Sequence, residues 1–505
     1  MKYVVEKWNV FEISFTSENK YSNPFIDVKL KARFCHNGQK TCVQGFYDGD
    51  NIYKVRFMPQ FEGEYTYTIS SNDSELDGIS GTLTVLPPSE QNHGPVRVSG
   101  TEHFAYADGT PFFVMGTTAY VWHHRPEEIR KKTLSSFSKY GFNKIRMLFF
   151  PKHYTGGYNA VDVSYEPPCY PFEGEPKNFD FTRPNPEYYR HFEQRLIELM
   201  ELGIEADVIL FHPYDFGHWD IDKMDEEDAL LYLRYTINRL SAFRNVWWSL
   251  ANEYDIGYDE DNPDRFILSQ NRRNWDVIGE YIKANDPYGH LRSCHNITFG
   301  WIYPDRPWMT HVSYQHPDTY TLMVELKRDY KKPVINDEYQ YEGNLPDGWG
   351  NSSGELTLLR HWLSVMAGGY ASHGEAFIID GNKRDIFWSY GGNMTGESAP
   401  RLKFMKDIVT KCPWQEMKRD FVNTDGQNYF SISKGTDFYL LFFKNGLKNK
   451  FCNIGPKEDP RTDYIYEATF YDVMNCRVIK SCRFRSHTDK IEITDWTAVT
   501  LKRIK

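Results

Sequence analysis

Two apolar segments of this chain each end in a glutamate, at Glu253 and at Glu338. The first segment is VWWSLANE at residues 246–253, and the second is PVINDE at residues 333–338. Both patterns are typical of buried strands, and a buried strand that ends in an ionisable residue places a carboxylate at the edge of its sheet. Two carboxylates that face each other can cleave a glycosidic bond. The two segments therefore predict a glycoside-cleaving pair, provided that the fold brings both strand ends to one pocket.

Between residues 110 and 414, apolar runs alternate with amphipathic helical segments. One helical segment has a clear start, with Asn185 as the cap and Pro186 at the first position. Eight strands separated by helices over about 270 residues predict a (β/α)8 TIM barrel, an α/β fold. Only about fifteen residues join the fifth and sixth runs, too few for a crossover helix, so a doubly wound sheet stays open as the alternative. The eight predicted strands are 112–117, 142–150, 204–212, 246–252, 291–295, 310–314, 334–337 and 371–379.

Polar and aromatic side chains lie near the ends of several predicted strands. In a TIM barrel the loops after the carboxyl ends of the strands form the active site, so these positions are candidates for substrate binding. Four of the candidates are histidines, which together favour a sugar-binding cradle, and two are tryptophans, which could stack on a sugar ring. The candidates are Asn252, Arg146, His212, Tyr314, His316, Trp122, His295, His373 and Trp388.

The segments on either side of the barrel have a different pattern. Residues 1–88 alternate with period two at 28–34, 53–57 and 65–69, which predicts an immunoglobulin-like β-sandwich. Residues 89–109 follow two prolines and are rich in turn-forming residues, so we interpret them as a linker that leads into the barrel. Residues 415–505 return to the β period and predict a C-terminal β-sandwich. We expect both flanking domains to be structural supports.

The composition excludes two classes of partner. The 505 residues include 59 Lys and Arg against 69 Asp and Glu, for a net charge of −10. Surfaces that bind nucleic acid or anionic membranes are basic, so we expect neither partner. The aromatic fraction of 16% suits β-rich cores and also platforms that stack on sugars. Carbohydrate is therefore the expected partner, and a homo-oligomer stays open.

No sequence motif indicates a cofactor or a metal, so we expect neither. The eight cysteines contain no CxxC pair, which argues against a zinc knuckle and against a disulfide scaffold. The first eight residues lack the apolar stretch of a signal peptide, and no segment approaches the ~20 apolar residues of a membrane span. These observations predict a reduced, cytoplasmic protein.

Several motifs resemble those of a known family. SLANE at residues 249–253 resembles the Asn-Glu signature of clan A glycoside hydrolases. Within that clan, three segments resemble the apiosidase-like catalytic domain: NDEYQYEG at 336–343, GGYASHGE at 368–375 and FWSYGG at 387–392. The resemblance extends over residues 1 to about 415, since the N-terminal sandwich is similar to a module that often precedes such barrels. Some enzymes of this family use an aspartate at the position of Glu253, so their sugar specificity is not carried over.

The resemblance implies roles for the two glutamates in a retaining double displacement, and their surroundings suggest roles for three neighbouring residues. Glu253 is the expected general acid/base, with a pKa raised by burial or by its anionic partner. Glu338 is the expected nucleophile, kept ionised by Arg146 and oriented by Tyr314. Asn252 is expected to donate to the sugar hydroxyl beside the reacting carbon. The implied substrates are plant-derived oligosaccharides or glycosides.

Two other functions stay open at this point. A metal-dependent hydrolase on the same barrel would need inward histidines at ligand spacing, such as His-x-His at the end of the first strand. The chain instead has the adjacent pair His123 and His124 beyond that strand. A non-catalytic carbohydrate-binding protein would keep the sugar cradle without turnover.

Overall fold

Eight parallel strands form one sheet in the middle of the chain, in the spatial order fifth, fourth, third, second, first, eighth, seventh and sixth. The first strand pairs with both the second and the eighth, so the sheet curls back on itself as a barrel. The computed structural model describes residues 2–153, 167–212, 215, 218–221, 224–258, 266–268, 273–300, 302, 304–346, 348–379, 383–419, 429–445, 447–451, 464–486 and 489–504. The barrel strands are Gly116–Thr118, Lys144–Leu148, Glu205–Phe211, Val246–Ala251, Arg292–Ser293, Val312–Gln315, Val334–Glu338 and Tyr370–His373.

The fifth and sixth strands meet at a seam without a regular ladder. Thr310 N donates to Arg292 O at 2.9 Å, and Arg292 N donates to the Thr310 hydroxyl at 2.7 Å. Above this contact, His295 Nδ1 and Ser313 Oγ are 2.9 Å apart. The described residues between the two strands form no helix, as the short connection predicted. The barrel prediction is confirmed and the doubly wound alternative is wrong, because the outer strands of the sheet face each other across this seam.

Helices surround the barrel, and several of them begin at side-chain caps. Asn185 accepts from Glu187 N at 3.1 Å, so Pro186–Glu201 begins where the sequence predicted. Glu226–Leu240 and Gly354–Met366 begin in the same way, with Asp225 and Ser353 as their caps. The remaining helices are Pro24–Asp27, Glu127–Tyr140, Trp275–Asn285, Thr321–Tyr330, Phe387–Tyr390 and Ser398–Val409, and there are 3₁₀ turns at Trp122–His124 and Trp414–Glu416.

A charged layer inside the barrel supports the strand that carries Glu338. The Lys144 ammonium is fully buried and lies 2.7 Å from Asp207 Oδ2 and 2.8 Å from Asp337 Oδ1. The Ser372 hydroxyl donates to the same Asp337 oxygen at 2.6 Å. A buried charge is tolerated when it is paired and hydrogen-bonded, as here. Glu338 directly follows Asp337, so this layer fixes the end of the seventh strand.

Two sheets of the N-terminal domain enclose their own core of buried aromatic and aliphatic residues. The five-stranded sheet has the order Lys2–Glu6, Ser80–Leu86, Gly63–Ser71, Leu30–His36 and Gln39–Gln44. The three-stranded sheet has the order Phe11–Thr16, Ile52–Phe57 and Phe46–Tyr47. This is the predicted β-sandwich.

Much of the segment that we interpreted as a linker, 89–109, is regular structure instead. The strands Val96–Ser99, His103–Tyr106 and Pro111–Phe112 form an antiparallel sheet. Phe104 of this sheet is fully buried and packs against Trp247 and Tyr370 of the barrel at ring distances of 5.2 and 5.5 Å. The segment reads as a linker in sequence because its strands are short and separated by turns.

The C-terminal domain is an antiparallel sheet with a separate two-stranded ribbon. The sheet has the order Lys418–Arg419, Tyr429–Lys434, Phe438–Phe443, Thr497–Arg503, Ile465–Asp472 and Arg477–Arg485, and the ribbon pairs Leu447–Phe451 with Lys490–Ile493. Shorter strands near the barrel are Phe172–Glu175, Asn178–Pro184, Ile256–Tyr258, Phe266–Leu268, Glu342–Gly343, Glu375–Ile379 and Lys383–Asp385. Within the described ranges, no helix has both the length and the apolar character that crossing a membrane requires.

A buried ion-pair network joins the N-terminal sandwich to the barrel helices. Arg239 Nε donates to Glu193 Oε1 at 2.6 Å, and Arg239 Nη1 donates to Asp48 Oδ1 at 2.6 Å. From the sandwich, Arg56 Nη2 donates to Glu193 Oε2 at 2.8 Å. The charges of Arg239 and Arg56 outweigh the effect of burial and lower the pKa of Glu193 to about 2. This carboxylate is therefore ionised and shared by the two domains.

We expect Arg239→Met to destabilise the protein by about 3–5 kcal/mol, because it leaves two buried carboxylates short of a cation. Urea denaturation followed by fluorescence measures the change, and kcat/KM of the folded variant should match wild type. Lys131→Met is the control, since Lys131 and Glu127 form an exposed pair that should contribute nothing measurable. A wild-type urea midpoint for Arg239→Met would contradict the prediction.

Candidate active site

Glu253 and Glu338 lie at the carboxyl-end mouth of the barrel, where the fourth and seventh strands end. Glu338 is the last residue of Val334–Glu338 and is buried, whereas Glu253 follows Val246–Ala251 and keeps part of its surface exposed. The Tyr120 hydroxyl donates to Glu338, and its pKa is raised by burial and by the charges of Glu338 and Glu253. One phenol thus lies close to both carboxyl groups, which the fold brings to a single pocket.

Three donors converge on one oxygen of Glu338. Arg146 Nη1 donates to Oε1 at 2.7 Å, the Tyr120 hydroxyl donates to the same atom, and His295 Nε2 lies 3.5 Å from it. Burial alone would raise the pKa of Glu338, but the contact with His295, the charge of Arg146 and the Tyr120 bond together lower it. Glu338 is therefore ionised at neutral pH.

Glu253 has the opposite electrostatic environment. Burial and the negative charge of Glu338 raise its pKa, and a hydrogen bond from Gln315 and the charge of Lys152 only partly offset them. Its backbone has a φ of +48°, in the left-handed region that non-glycine residues rarely adopt. The pocket therefore holds one carboxyl group that keeps its proton and one that loses it. That division suits an acid and a nucleophile.

Arg146 also fixes the orientation of Asn252. Its Nη2 donates to Asn252 Oδ1, and the Tyr120 hydroxyl is 3.3 Å from the same oxygen. Because these donors bind its oxygen, the Asn252 amide directs its NH₂ group away from Arg146 and Tyr120. Arg146 is fully buried and contacts both Asn252 and Glu338, so it couples the ends of the fourth and seventh strands.

His295 joins the site from two residues beyond the fifth strand, on one side of the seam. Its Nδ1 faces the Ser313 hydroxyl at 2.9 Å and its Nε2 faces Gln315 Oε1 at 3.1 Å. Burial and the charge of Arg146 lower the pKa of His295, which keeps the ring neutral. The imidazole therefore contacts Gln315, which hydrogen-bonds to Glu253, and also makes a weaker contact with Glu338.

His212 lies farther out, in a buried cluster after the third strand. Its Nε2 is 3.1 Å from Asp215 Oδ2, and the same oxygen accepts from Trp219 Nε1 at 3.0 Å. The Lys152 ammonium contacts the other oxygen of Asp215. Lys152 interacts electrostatically with Glu253, so this chain of charges connects His212 with Glu253.

Trp388 lies beside Tyr120 and Tyr341, two neighbours of Glu338, whereas Trp122 does not. The half-buried Trp388 ring stacks on Tyr341 at 5.3 Å and meets the edge of Tyr120 at 5.6 Å. The predicted strand 371–379 breaks at Gly374, where a Cβ would lie 2.2 Å from the Tyr341 ring. The absence of a side chain at Gly374 is what allows Tyr341 to pack here. Trp122 is completely buried against Phe137 in the core, so its ring has no face for a sugar.

Tyr314 and His373 do not face the pocket, so the roles we expected for them are wrong. Tyr314 packs with Met323 in the layer between the sixth strand and its helix, and its hydroxyl is 3.4 Å from Asp318 O. Ser372 points into the barrel towards Asp337, so the next residue, His373, points outward and stacks on Phe142. Burial lowers the pKa of His373 to about 3. The cause of both errors is the alternation of side chains along a strand.

His316 lies at the rim of the pocket. Its backbone N donates to Glu338 O at 3.0 Å, and its Nδ1 accepts from Asp318 N at 3.0 Å. The ring packs edge-on against the exposed Phe299 at 4.9 Å. His316 is thus next to the strand that ends in Glu338, without touching the Glu338 carboxylate in any described contact.

Sequence reasoning missed three contributors to the site: Tyr120, Tyr341 and Gln315. Tyr120 follows the first strand by two residues and Gln315 is the last residue of the sixth, so both occupy positions of the kind that we examined. Their position at or just after the end of a strand was the feature that could have identified them. The same feature selected Trp122 and Tyr314, because the sequence does not show which side chains turn inward.

We expect Tyr120→Phe to lower kcat/KM about 10- to 150-fold, because a hydrogen bond to a charged group contributes roughly 1.5–3 kcal/mol. The acidic limb of the pH profile should also move to higher pH, since Glu338 loses a donor that favours its ionised form. Tyr314→Phe is the matched control and should keep wild-type kinetics. Equal losses in both variants, or a loss confined to Tyr314→Phe, would contradict this assignment.

The chain is similar in sequence to a known family. A profile of the apiosidase-like catalytic domain matches residues 99–416, and a profile of a domain of unknown function, DUF5060, matches residues 4–72. A search of curated proteins gave no match. The first profile covers well over half of the chain and includes Glu253, Glu338, Arg146 and Trp388.

Solved structures show the same relationship. A putative glycoside hydrolase from Bacteroides vulgatus ATCC 8482 is 35% identical, with a TM-score of 0.85 over 99% of this chain and 100% of that chain. A glycoside hydrolase family 5 protein from the same strain is 16% identical, with a TM-score of 0.59 over 81% of this chain and 93% of that chain. The second similarity concerns the fold alone. The protein is a glycosidase built on a TIM barrel, and it belongs to the apiosidase-like catalytic domain family.

Proposed function

We propose that the protein hydrolyses glycosides with retention of anomeric configuration, with Glu338 as the nucleophile and Glu253 as the acid/base. The observation that carries this proposal is the convergence of Arg146, Tyr120 and His295 on Glu338 Oε1. Such a set of donors stabilises a carboxylate that must stay ionised until it attacks. It also occupies one oxygen, so we assign the attack to Oε2.

The first step breaks the glycosidic bond and forms a bond from the anomeric carbon to Glu338. Glu253 gives its proton to the departing oxygen, so the alcohol leaves neutral. The negative charge of Glu338 disappears when the ester forms. Because that charge was one cause of the raised pKa of Glu253, Glu253 becomes more acidic at this point.

The second step returns both groups to their starting states. Ionised Glu253 takes a proton from water, and the resulting hydroxide attacks the anomeric carbon and releases Glu338. Asn252 donates to the sugar hydroxyl beside the reacting carbon, with its amide orientation set by Arg146. Trp388 provides an aromatic surface beside the pocket for the sugar ring.

The substrates we propose are plant-derived oligosaccharides or glycosides. The cytoplasmic location stays a prediction.

A panel of aryl glycosides tests activity, and ¹H NMR of the first product formed gives its anomer before mutarotation. Retention of configuration is expected. Inversion would contradict the nucleophile assignment, because an inverting enzyme uses its second carboxylate to activate water.

A further inference from the structure

Three buried ionisable side chains outside the barrel lumen converge beside the eighth strand. They are Glu342, His373 and Glu375, and their ligand atoms all lie within 4.8 Å of one another. His373 Nε2 is 3.6 Å from Glu375 Oε2 and 4.0 Å from Glu342 Oε2. The proposed hydrolysis uses none of the three, so their convergence needs another explanation.

One ring nitrogen of His373 has no hydrogen-bond partner among the described residues. The residue is completely buried. Its Nδ1 is 3.4 Å from the Thr117 hydroxyl, whereas Nε2 points to the two carboxylates across distances too long for a hydrogen bond. Burying a polar atom without a partner costs free energy. The space between this nitrogen and the two carboxylates therefore suits a ligand that bonds to all three.

Backbone donors hold both carboxylates in place. Glu375 accepts from Thr395 N at 2.6 Å and Gly396 N at 3.0 Å, and Glu342 accepts from Glu397 N at 2.6 Å and Ser398 N at 3.1 Å. The chain can approach this closely because residue 396 is glycine: a Cβ there would lie 2.6 Å from Oε2 of both glutamates. Hydrogen bonds of this kind orient carboxylate ligands in metal sites.

We propose that Glu342, His373 and Glu375 bind a divalent transition-metal ion, with Zn²⁺ as the expected occupant. One imidazole nitrogen with carboxylate oxygens is a ligand set that Zn²⁺ accepts, whereas Ca²⁺ and Mg²⁺ prefer oxygen alone. The two carboxylates carry the charge that a divalent ion balances when the imidazole is neutral. The sequence predicted no metal, because the three ligands follow no zinc motif and meet only in the folded chain.

The ion would have a structural role. It would join the strands Tyr370–His373 and Glu375–Ile379 to Glu342, whose carboxylate accepts a hydrogen bond from the start of helix Ser398–Val409. The chain between these points includes Phe387–Tyr390, which carries Trp388. The metal would thereby fix the aromatic wall of the active site without touching substrate.

Anomalous diffraction at the zinc edge tests this on the wild-type protein. Crystals grown after dialysis against a chelator and reloading with ZnCl₂ should show a peak about 2.0–2.2 Å from His373 Nε2 and from a carboxylate oxygen of each glutamate. Elemental analysis of the same protein should give about one zinc per chain. Reloaded crystals without a peak at this position would overturn the proposal, and would favour a protonated imidazole bridging the carboxylates instead.

Variants separate this site from zinc bound elsewhere. Glu375→Gln keeps an oxygen for the backbone donors but loses charge, so it should lose the bound zinc and the rise in melting temperature that ZnCl₂ gives wild type. His93→Ala is the control, because His93 lies at the surface beside Asp108 and should leave zinc content unchanged. Undiminished zinc in Glu375→Gln, or an equal loss of zinc in His93→Ala, would overturn the proposal.

Discussion

Glu338→Gln should lose hydrolysis by a factor on the order of 10⁴–10⁶, the scale reached when an enzyme loses its nucleophile. An amide oxygen can still accept from Arg146 and Tyr120, but it cannot attack the anomeric carbon. The measurement is kcat/KM on an aryl glycoside, with circular dichroism to show that the variant is folded. The fold is the concern because buried Arg146 loses its ion pair.

Rescue by an external anion distinguishes a nucleophile from a structural carboxylate. In Glu338→Gly, azide can enter the vacated space and attack from the same side as Glu338. The product should be a glycosyl azide of inverted configuration, formed at a rate that rises with azide concentration. Wild-type-like hydrolysis by Glu338→Gln, or rescue that yields a glycosyl azide of retained configuration, would end the assignment.

Glu253→Gln should slow hydrolysis about 10²- to 10⁴-fold for substrates with poor leaving groups, because no proton reaches the departing oxygen. A dinitrophenyl leaving group departs as a stable anion, so the first step should be almost unaffected with that substrate. The comparison of kcat/KM between phenyl and dinitrophenyl glycosides measures this difference. An equal loss with both substrates would contradict a role as the acid.

Glu205→Gln is the matched control for Glu253→Gln. Burial raises the pKa of Glu205 to about 8, so it also keeps its proton at neutral pH, but it lies at the start of the third strand, far from the mouth of the barrel. Its carboxyl group accepts from Trp247 Nε1 at 2.8 Å, and a glutamine oxygen can do the same. We expect wild-type kinetics from this variant, since its proton takes no part in the reaction.

The proton of Glu253 sets the alkaline limb of the pH dependence of the wild-type enzyme. Glu253 must be protonated for the first step, so kcat/KM should fall as pH rises through its raised pKa, well above the ordinary value of about 4.3. Glu338 must be ionised, so kcat/KM should fall as pH drops through its lowered pKa. In Glu253→Gln the alkaline limb should disappear from the residual rate.

The sequence predicted the barrel and the two carboxylates at its mouth because burial leaves a strong pattern. A parallel strand with both faces covered is an unbroken apolar run, and an ionisable residue that ends it stands out. Glu253, Glu338 and Arg146 were all found in this way, and the structure brings the three together. The sequence also predicted the irregular connection between the fifth and sixth strands, because the residues between them are too few for a crossover helix.

The same pattern hides the direction of each side chain. In a run buried on both faces, neighbouring residues point into the barrel and out to the helices, and no alternation of polarity marks which is which. Tyr314 and His373 were therefore placed inside when they lie outside. Tyr120 lies in irregular chain beyond its strand, where no periodicity applies. The direction of these side chains depends on register, which only the folded chain defines.

The seam between the fifth and sixth strands ties activity to the weakest part of the barrel wall. His295 comes from one side of it and Gln315 from the other, and these two residues reach Glu338 and Glu253 respectively. Since few backbone bonds join the two strands, local opening there should cost less than melting the whole barrel. On warming, the enzyme should therefore lose activity reversibly, at a temperature several degrees below the one at which calorimetry records unfolding.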